Sequence, residues 1–264
     1  MDAGLIKLLK SGYRYLRSFF IPENANEHRL CYQLLSEEKN QGVMFDIGAH
    51  HGDVLAPFAS DGWKIYAFEP DDENRRKLIK RYQSQPEVII DPRAVAEKSR
   101  KIAPLYRSEE SSGLSTLAPF RESHSAIGEV EVISIEDFLI EKNLMDLEID
   151  FLKVDTEGFD LFVLQGLPWD QVTPRLILCE FEDAKTQRLN YSFRDLAEFL
   201  VEKNYQLIIS EWYPIQRYGT AHQWRRFCAY PCSLKDPDAW GNILACRDGR
   251  LYRKMRDYCG LSGS

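Results

Sequence analysis

The stretch FDIGAHHGDV, residues 45–54, closes an apolar strand-like run on a carboxylate, Asp46, and then sets Gly48 and Gly52 four positions apart. Gly48 permits a sharp turn with close backbone approach, and Gly52 lets the next helix pack closely on the strand. The segment therefore reads as the first strand-to-helix turn of a nucleotide-type α/β fold. Outward from it, VMFDI is the first strand, and DVLAPFAS a short helix with Pro57 in its first turn. WKIYAFE, the charged helix DENRRKLIKRY and the strand EVIID follow. A hairpin-like piece surrounds KIAPLYR, and the polar stretch from Ser108 to Gly128 is too long for an ordinary connection, so it reads as a functional lid or a disordered loop.

Order returns with the strand EVEVISI, after which Ser134 caps a helix over IEDFLIEK. IDFLKVD is a buried strand, GFDLFVLQGL a helix, RLILCEF a strand, SFRDLAEFLVEKN a periodic helix and YQLIISEW a further strand. A last strand comes from RRFCAYP or from NILACR. Alternating strands and helices predict a mostly parallel, doubly wound α/β sheet with an antiparallel edge strand.

With 264 residues, 44% of them hydrophobic, the chain supports one large core. Residues 41–264 are expected to form one α/β domain, preceded by an N-terminal helical segment over 1–40. The net charge of −7 argues against a nucleic-acid protein that neutralises phosphates, and points to a small-molecule or glycan partner. Six cysteines without a CxxC pair read as reduced thiols in a cytoplasmic protein. No apolar run approaches the roughly 20 residues of a membrane span, and lysines and arginines interrupt the N-terminus where a signal peptide would be apolar. That N-terminus, MDAGLIKLLKSGYRYLRSFFIP, has helical periodicity, with leucines and phenylalanines on one face and Lys7, Lys10, Arg14 and Arg17 on the other. Such a basic amphipathic helix either packs on its own domain or makes peripheral contact with an anionic membrane or a partner.

In a doubly wound sheet the ligand sits beyond the carboxyl ends of the strands, next to the first one. A carboxylate at Asp46, two residues before the first glycine, would repel a pyrophosphate and welcome a cation. S-adenosyl-L-methionine, with its sulfonium and amino group and no phosphate, fits that sign better than a nicotinamide dinucleotide. The second strand ends in YAFEP, which puts Glu69 where an acidic residue accepts hydrogen bonds from ribose hydroxyls. The competing reading makes Glu69 a cap for the helix that starts at Asp71.

FDIGAHHG, YAFEPDDEN, the Ala94–Val95 pair, SSGLSTL, VISIEDF, DFLKVDTEGFDLFVLQG and LILCEF occur in an order that resembles the FkbM family of S-adenosylmethionine-dependent methyltransferases, over roughly residues 40–185. DFLKVDTEGFD is the most specific element. The resemblance implies a class I methyltransferase fold and O-methylation, commonly of a sugar hydroxyl or a hydroxylated natural product. It implies cofactor contacts at Asp46, Gly48, Ala49, His50, Gly52, Glu69 and Ala94. His50 departs from the middle glycine of many class I methyltransferases and the asparagine frequent in this family; its side chain is expected to contact the cofactor's carboxylate or a water.

Methyl transfer to an alcohol needs in-line alignment and a proton acceptor within hydrogen-bond reach. Asp155, at a strand end beside the first turn, is the best-placed base, with Glu157 in the same turn and Glu180 on the same rim as alternatives. Together with Glu182 they would either grip sugar hydroxyls or hold Mg²⁺ through oxygen ligands, and the absence of a metal-ligand spacing favours no metal. His124 and His222 are weaker base candidates. Ser115 and Thr116 match the family's small hydroxyl segment and are expected to fold over the substrate. Arg217, Arg225 and Arg226, interleaved with Tyr218 and Trp224, would recognise a phosphate on the acceptor while the aromatics stack on sugar, or form an ordinary charged edge strand. The rival functions are a catalytically silent methyltransferase-like binding domain and, further off, a dinucleotide-dependent oxidoreductase, which Asp46 and the lack of a GxGxxG disfavour.

Overall fold

Apolar strands buried on both sides need helices over each face of their sheet. The computed structural model, which describes residues 26–217 and 220–261, meets that requirement. The amphipathic segment 1–22 and Tyr218 lie outside the described residues. Among these, eight strands form the main sheet in the order β11-β10-β12-β9-β8-β1-β2-β3. The strands are β1 (Val43–Ile47), β2 (Lys64–Phe68), β3 (Val88–Asp91), β8 (Phe151–Val154), β9 (Leu176–Glu182), β10 (Gln206–Trp212), β11 (Trp224–Ala229) and β12 (Trp240–Cys246). β1 runs parallel to β2 and β8, and β8 parallel to β9, while β12 lies antiparallel between β9 and β10. Both RRFCAYP and NILACR thus contribute strands. The first supplies the antiparallel edge β11, and the second is an antiparallel strand inside the sheet.

Side chains alternate between the two faces with the period of two that extended backbone imposes. Phe45, Leu152, Ile177 and Ile209 face a core closed by α4 (Ile135–Glu141), α5 (Asp160–Gln165) and α7 (Phe193–Glu202). Met44, Phe151, Leu178 and Ile208 face the opposite core, closed by α1 (Glu27–Ser36), α2 (Ala56–Ser60), α3 (Asp72–Tyr82) and α8 (Gly249–Tyr258). α6 (Asp183–Thr186) follows β9 directly. Local signals set the helix starts: Asn26, Asp71, Ser134 and Ser192 each accept backbone N–H bonds at an N-terminus, and Pro57 stands in the first turn of α2. No helix among the described residues is long and apolar enough to cross a membrane.

The polar stretch from Ser108 to Gly128 is neither a free lid nor a disordered loop. It forms β6 (Ser111–Thr116) and the first half of β7 (His124–Ile133), which with β4 (Ala94–Val95) and β5 (Arg100–Ser108) make a second sheet in the order β4-β7-β5-β6. Its few apolar residues could not have ordered it alone. Antiparallel pairing to β5 satisfies its backbone, and Leu114 is buried. This sheet covers the carboxyl ends of β1, β2 and β8.

On the α4 side of the main sheet a buried aromatic group ties the helix to β1 and β2: the Phe138 ring lies 5.9, 5.6 and 4.9 Å from the rings of Phe45, Tyr66 and Phe68. Phe138→Ala should therefore cost about 3–5 kcal/mol of unfolding free energy. Urea denaturation checks this, and a midpoint equal to that of the unaltered protein would show that α4 carries no such load.

Candidate active site

A cleft opens between the strand ends and the covering sheet. Its walls include Gly48, His50, Glu69, Ala94, Ser115, Thr116, Asp155 and Glu157 of the residues expected from sequence, together with Asn74, Arg93, Thr156 and Phe159. The first turn is built from left-handed backbone: Gly48 at φ +79°, His50 at +49° and Gly52 at +78°. A Cβ on Gly48 would lie 1.9 Å from the carbonyl oxygen of Asp155, so the β1 and β8 turns touch through this glycine. One on Gly52 would meet the side chains of Tyr82 and Leu78, which seat the turn on α3.

Glu69 is 4% exposed, and each of its carboxylate oxygens accepts one backbone N–H, from His50 at 2.7 Å and from Asp71 at 2.9 Å. Burial pushes its pKa up to about 7 against those hydrogen bonds. Each oxygen keeps a lone pair for a ligand in the cleft. The His50 ring stacks on His51 with centroids 3.6 Å apart.

Asp46, Ala49 and Gly52 do not line the cleft. Asp46 is fully buried beneath the turn, where neither oxygen accepts a well-aligned hydrogen bond and the Lys153 ammonium stands 3.2 Å from Oδ1. The expectation that Asp46 points its charge into the crevice is corrected by strand alternation, which turns residue 46 towards the α1 side. Ala49 and Gly52 shape the turn through backbone bonds: Ala49 N–H donates to Phe68 O, and Gly52 N–H to Ala49 O.

Lys153, in the middle of DFLKVD, is a site residue that motif and strand-end position do not single out. Its side chain is 4% exposed; Nζ donates to Gly48 O at 2.6 Å and lies 3.4 Å from Asp155 Oδ2 as well as near Asp46. Burial alone would lower its pKa, but the two carboxylates hold it above the ordinary value. Asp155 sits deep in the cleft with 40% of its side chain open to it; burial would raise its pKa, yet Lys153, Lys185 and His28 hold it below the usual carboxylate range.

Glu157, Glu180 and Glu182 surround a second buried lysine, whose Nζ stands 2.7, 2.7 and 3.0 Å from them. Oxygens of Asp155, Glu157 and Glu180 lie within 4.8 Å of one another, a spacing that suits a divalent ion. Lys185 supplies the cation there instead. One ammonium does not neutralise three carboxylates. Burial, partly offset by Lys185, pushes Glu157 up to about 7, and Glu180 well above its ordinary value. Glu157 also adopts φ +54°, a left-handed conformation uncommon for a residue with a side chain.

The cover is tied to the turns after β2 and β8. Arg107 donates through Nε to Asp71 Oδ2 at 2.6 Å, Ser115 Oγ donates to the same oxygen at 3.0 Å, and Thr116 Oγ1 donates to Glu157 O at 3.1 Å. The hydroxyls of Ser115 and Thr116 therefore hold the cover in place as well as line the cleft. His124 lies within the cover, its Nε2 3.1 Å from Leu114 O. Arg225 stands on β11, outside the cleft, paired with buried Glu211 at 3.2 Å. His28, on α1, faces the Lys153–Asp155 pair; burial and Lys153 push its pKa down to about 4.

The model of the FkbM methyltransferase domain matches residues 46–207. The chain belongs to this family. It is accordingly an S-adenosylmethionine-dependent methyltransferase, and its sheet is a class I methyltransferase fold. No curated protein matches the sequence. Similar solved structures include a precorrin-6Y C5,15-methyltransferase from Geobacter metallireducens (12% identity, 83% of this chain and 86% of that one, TM-score 0.42) and an rRNA methylase from Streptococcus thermophilus (9%, 83% and 93%, 0.42). The METTL16 methyltransferase domain is similar at 13% identity over 87% of this chain and 69% of that one, with a TM-score of 0.45.

Two outcomes are expected. Gly48→Ala should lose measurable S-adenosylhomocysteine binding in calorimetric titration, because its Cβ forces the β1 and β8 turns apart; affinity within twofold of the unaltered protein would overturn that role. The folded pKa of Glu157 lies above its ordinary 4.5, so the native state binds the extra proton and stability falls as pH rises from about 4.5 to 7. Thermal melts of Glu157→Gln should then gain on the unaltered protein between pH 4 and pH 8, and a pH-independent difference would refute the shift.

Proposed function

We propose that the protein methylates a hydroxyl of a sugar, glycan or hydroxylated natural product, with S-adenosyl-L-methionine held between the Gly48 turn and Glu69 and with Glu157 accepting the proton. The observation that supports this most is Glu157 itself, a cleft carboxylate lifted to about 7 within the same cavity as Glu69. The cofactor supplies a methyl group on a sulfonium, ready for in-line displacement.

The residues present fit it. Glu69 offers its remaining lone pairs to vicinal ribose hydroxyls, and Gly48 leaves space for close backbone approach. Ala94 gives an apolar wall, and the His50 ring stands at the turn to contact a carboxylate. Asp155, held ionised by Lys153, sets a fixed negative charge near the cationic centre. Asp46 acts from beneath by keeping Lys153 in place. A base must pass between protonation states near working pH, which Glu157 does and Asp155 does not. The proton-accepting role expected of Asp155 thus moves two residues along the turn. Glu180 and Glu182 accept hydrogen bonds from neighbouring hydroxyls, while Lys185 keeps the three glutamates converged. The covering strand β6 excludes water. This acidic lining is unsuited to a polyphosphate acceptor such as a nucleic acid.

Glu157→Gln should lower turnover about 10²- to 10⁴-fold, the usual range for a general base, with S-adenosylhomocysteine affinity kept within a few-fold. In the unaltered enzyme kcat should rise with pH through about 7 as Glu157 loses its proton. Methyl transfer to a panel of free and glycosidically linked sugars measures both. Full turnover in Glu157→Gln would return the role to Asp155.

A further inference from the structure

Three tryptophans beyond the family-matched span stand side by side on the rim of the sheet. Trp240 pairs directly with Glu182 on one side and Trp212 on the other, and Trp212 pairs in turn with Trp224. Directly paired residues project on the same face, and although the register shifts between Glu211 and Trp212, the bond from the Trp224 indole to Ser210, two residues before Trp212, keeps Trp224 on that face, so the row Glu182–Trp240–Trp212–Trp224 leads outward from the carboxylates around Lys185. The Trp240 and Trp212 rings lie 5.3 Å apart, and the His222 ring stands edge-on to Trp240 at 5.2 Å.

Each indole N–H is bonded within the protein: Trp240 to Tyr213 O at 3.0 Å, Trp212 to Glu27 Oε1 at 2.7 Å, Trp224 to Ser210 Oγ at 3.1 Å. The rings are thereby fixed, and all three are only half-buried. Fixed, partly exposed aromatic rings bind at low entropic cost. Charge gives the chemistry of the occupant. Arg225 and Arg226, expected to read a phosphate, are both held by Glu211, and Arg225 lies over the Tyr213 ring at 4.1 Å, so the row itself presents rings and the carboxylate of Glu182, which suit a ligand with apolar faces and hydroxyl donors.

We infer that Trp240, Trp212 and Trp224 form a carbohydrate-binding platform that seats the sugar units next to the one methylated, so that the acceptor is an oligosaccharide or glycan chain rather than a free monosaccharide. This rests on the reading that a hydroxyl is methylated beside Glu157. The apolar faces of pyranose rings stack on indoles, and their equatorial hydroxyls remain free for Glu182 and its neighbours. The Trp240 and Trp212 rings, 5.3 Å apart and tilted by 34°, set one indole beside the next along the row, so that neighbouring sugar units meet neighbouring indoles.

The test titrates the full-length protein, saturated with S-adenosylhomocysteine, with mono-, di- and trisaccharides of the chitin, maltose and mannose series, read by intrinsic fluorescence and calorimetry. In at least one series affinity should rise tenfold or more from mono- to trisaccharide. Trp240→Ala should lose at least that gain while S-adenosylhomocysteine affinity stays the same, and Trp240→Phe should restore most of it. No dependence on chain length in any series, tighter binding of a sugar-free apolar probe such as a macrolactone, or unchanged trisaccharide affinity in Trp240→Ala would each overturn the platform. Length-dependent binding without methyl transfer to any bound glycan would leave the platform standing and defeat the O-methylation reading instead.

Discussion

The buried ammonium of Lys153 is the interaction on which the site depends. A charge in the interior costs several kcal/mol unless it is paired and hydrogen-bonded, and Lys153 finds its partners only where the ends of β1 and β8 converge: Asp46, Asp155 and the carbonyl of Gly48. Moving either strand end would strip the ammonium of a partner. The register Asp46 opposite Lys153 is therefore locked by charge as well as by backbone bonds, and the Gly48 and Asp155 turns are pressed into contact as a result.

Lys185 works in the opposite sense. It collects three glutamates that would otherwise repel one another, but its single charge leaves them under-compensated, and the surplus appears as raised proton affinity at Glu157 and Glu180. Two lysines buried behind the cleft wall thus divide the carboxylates there. Lys153 keeps Asp155 ionised, whereas Lys185 leaves Glu157 able to take up a proton near neutrality.

The central strands were legible in the sequence because runs such as VMFDI and RLILCEF are apolar on both faces, and the turn glycines showed where the cleft opens. Glu69, Asp155 and Glu157 are legible from their position at strand ends, Gly48 from the turn it permits, and His50 and Ala94 only through the family resemblance. What escaped was decided by alternation and by distant partners. Asp46 lies inside β1, paired with Ala67 and Lys153 and buried beneath the turn, whereas Glu69 stands one residue past the end of β2, where the chain opens on the cleft. Lys153 was readable in principle, since a lysine inside a buried strand demands a buried counter-charge. Ser108–Gly128 looked unstructured because its order comes from pairing with β5 and from Arg107, Ser115 and Thr116, whose partners are far away in sequence. For Arg225 the sequence allows a substrate contact or an ordinary charged edge strand, and it stands on the edge strand β11, held by Glu211 from the neighbouring strand.

The internal position of β12 also governs how the chain must be made. β9 and β10 are not neighbours; each pairs with β12, whose residues 240–246 leave the ribosome after both of them. Until then the nascent chain carries two apolar strands with unpaired edges, LILCEFE and QLIISEW, the kind of surface that templates aggregation. A fragment cut at residue 207, where the family match ends, would keep the cofactor cleft on paper and expose β9 for its whole length. The limit of sequence kinship is thus not a folding boundary, and expression of this enzyme is tied to completion of a strand that lies outside it.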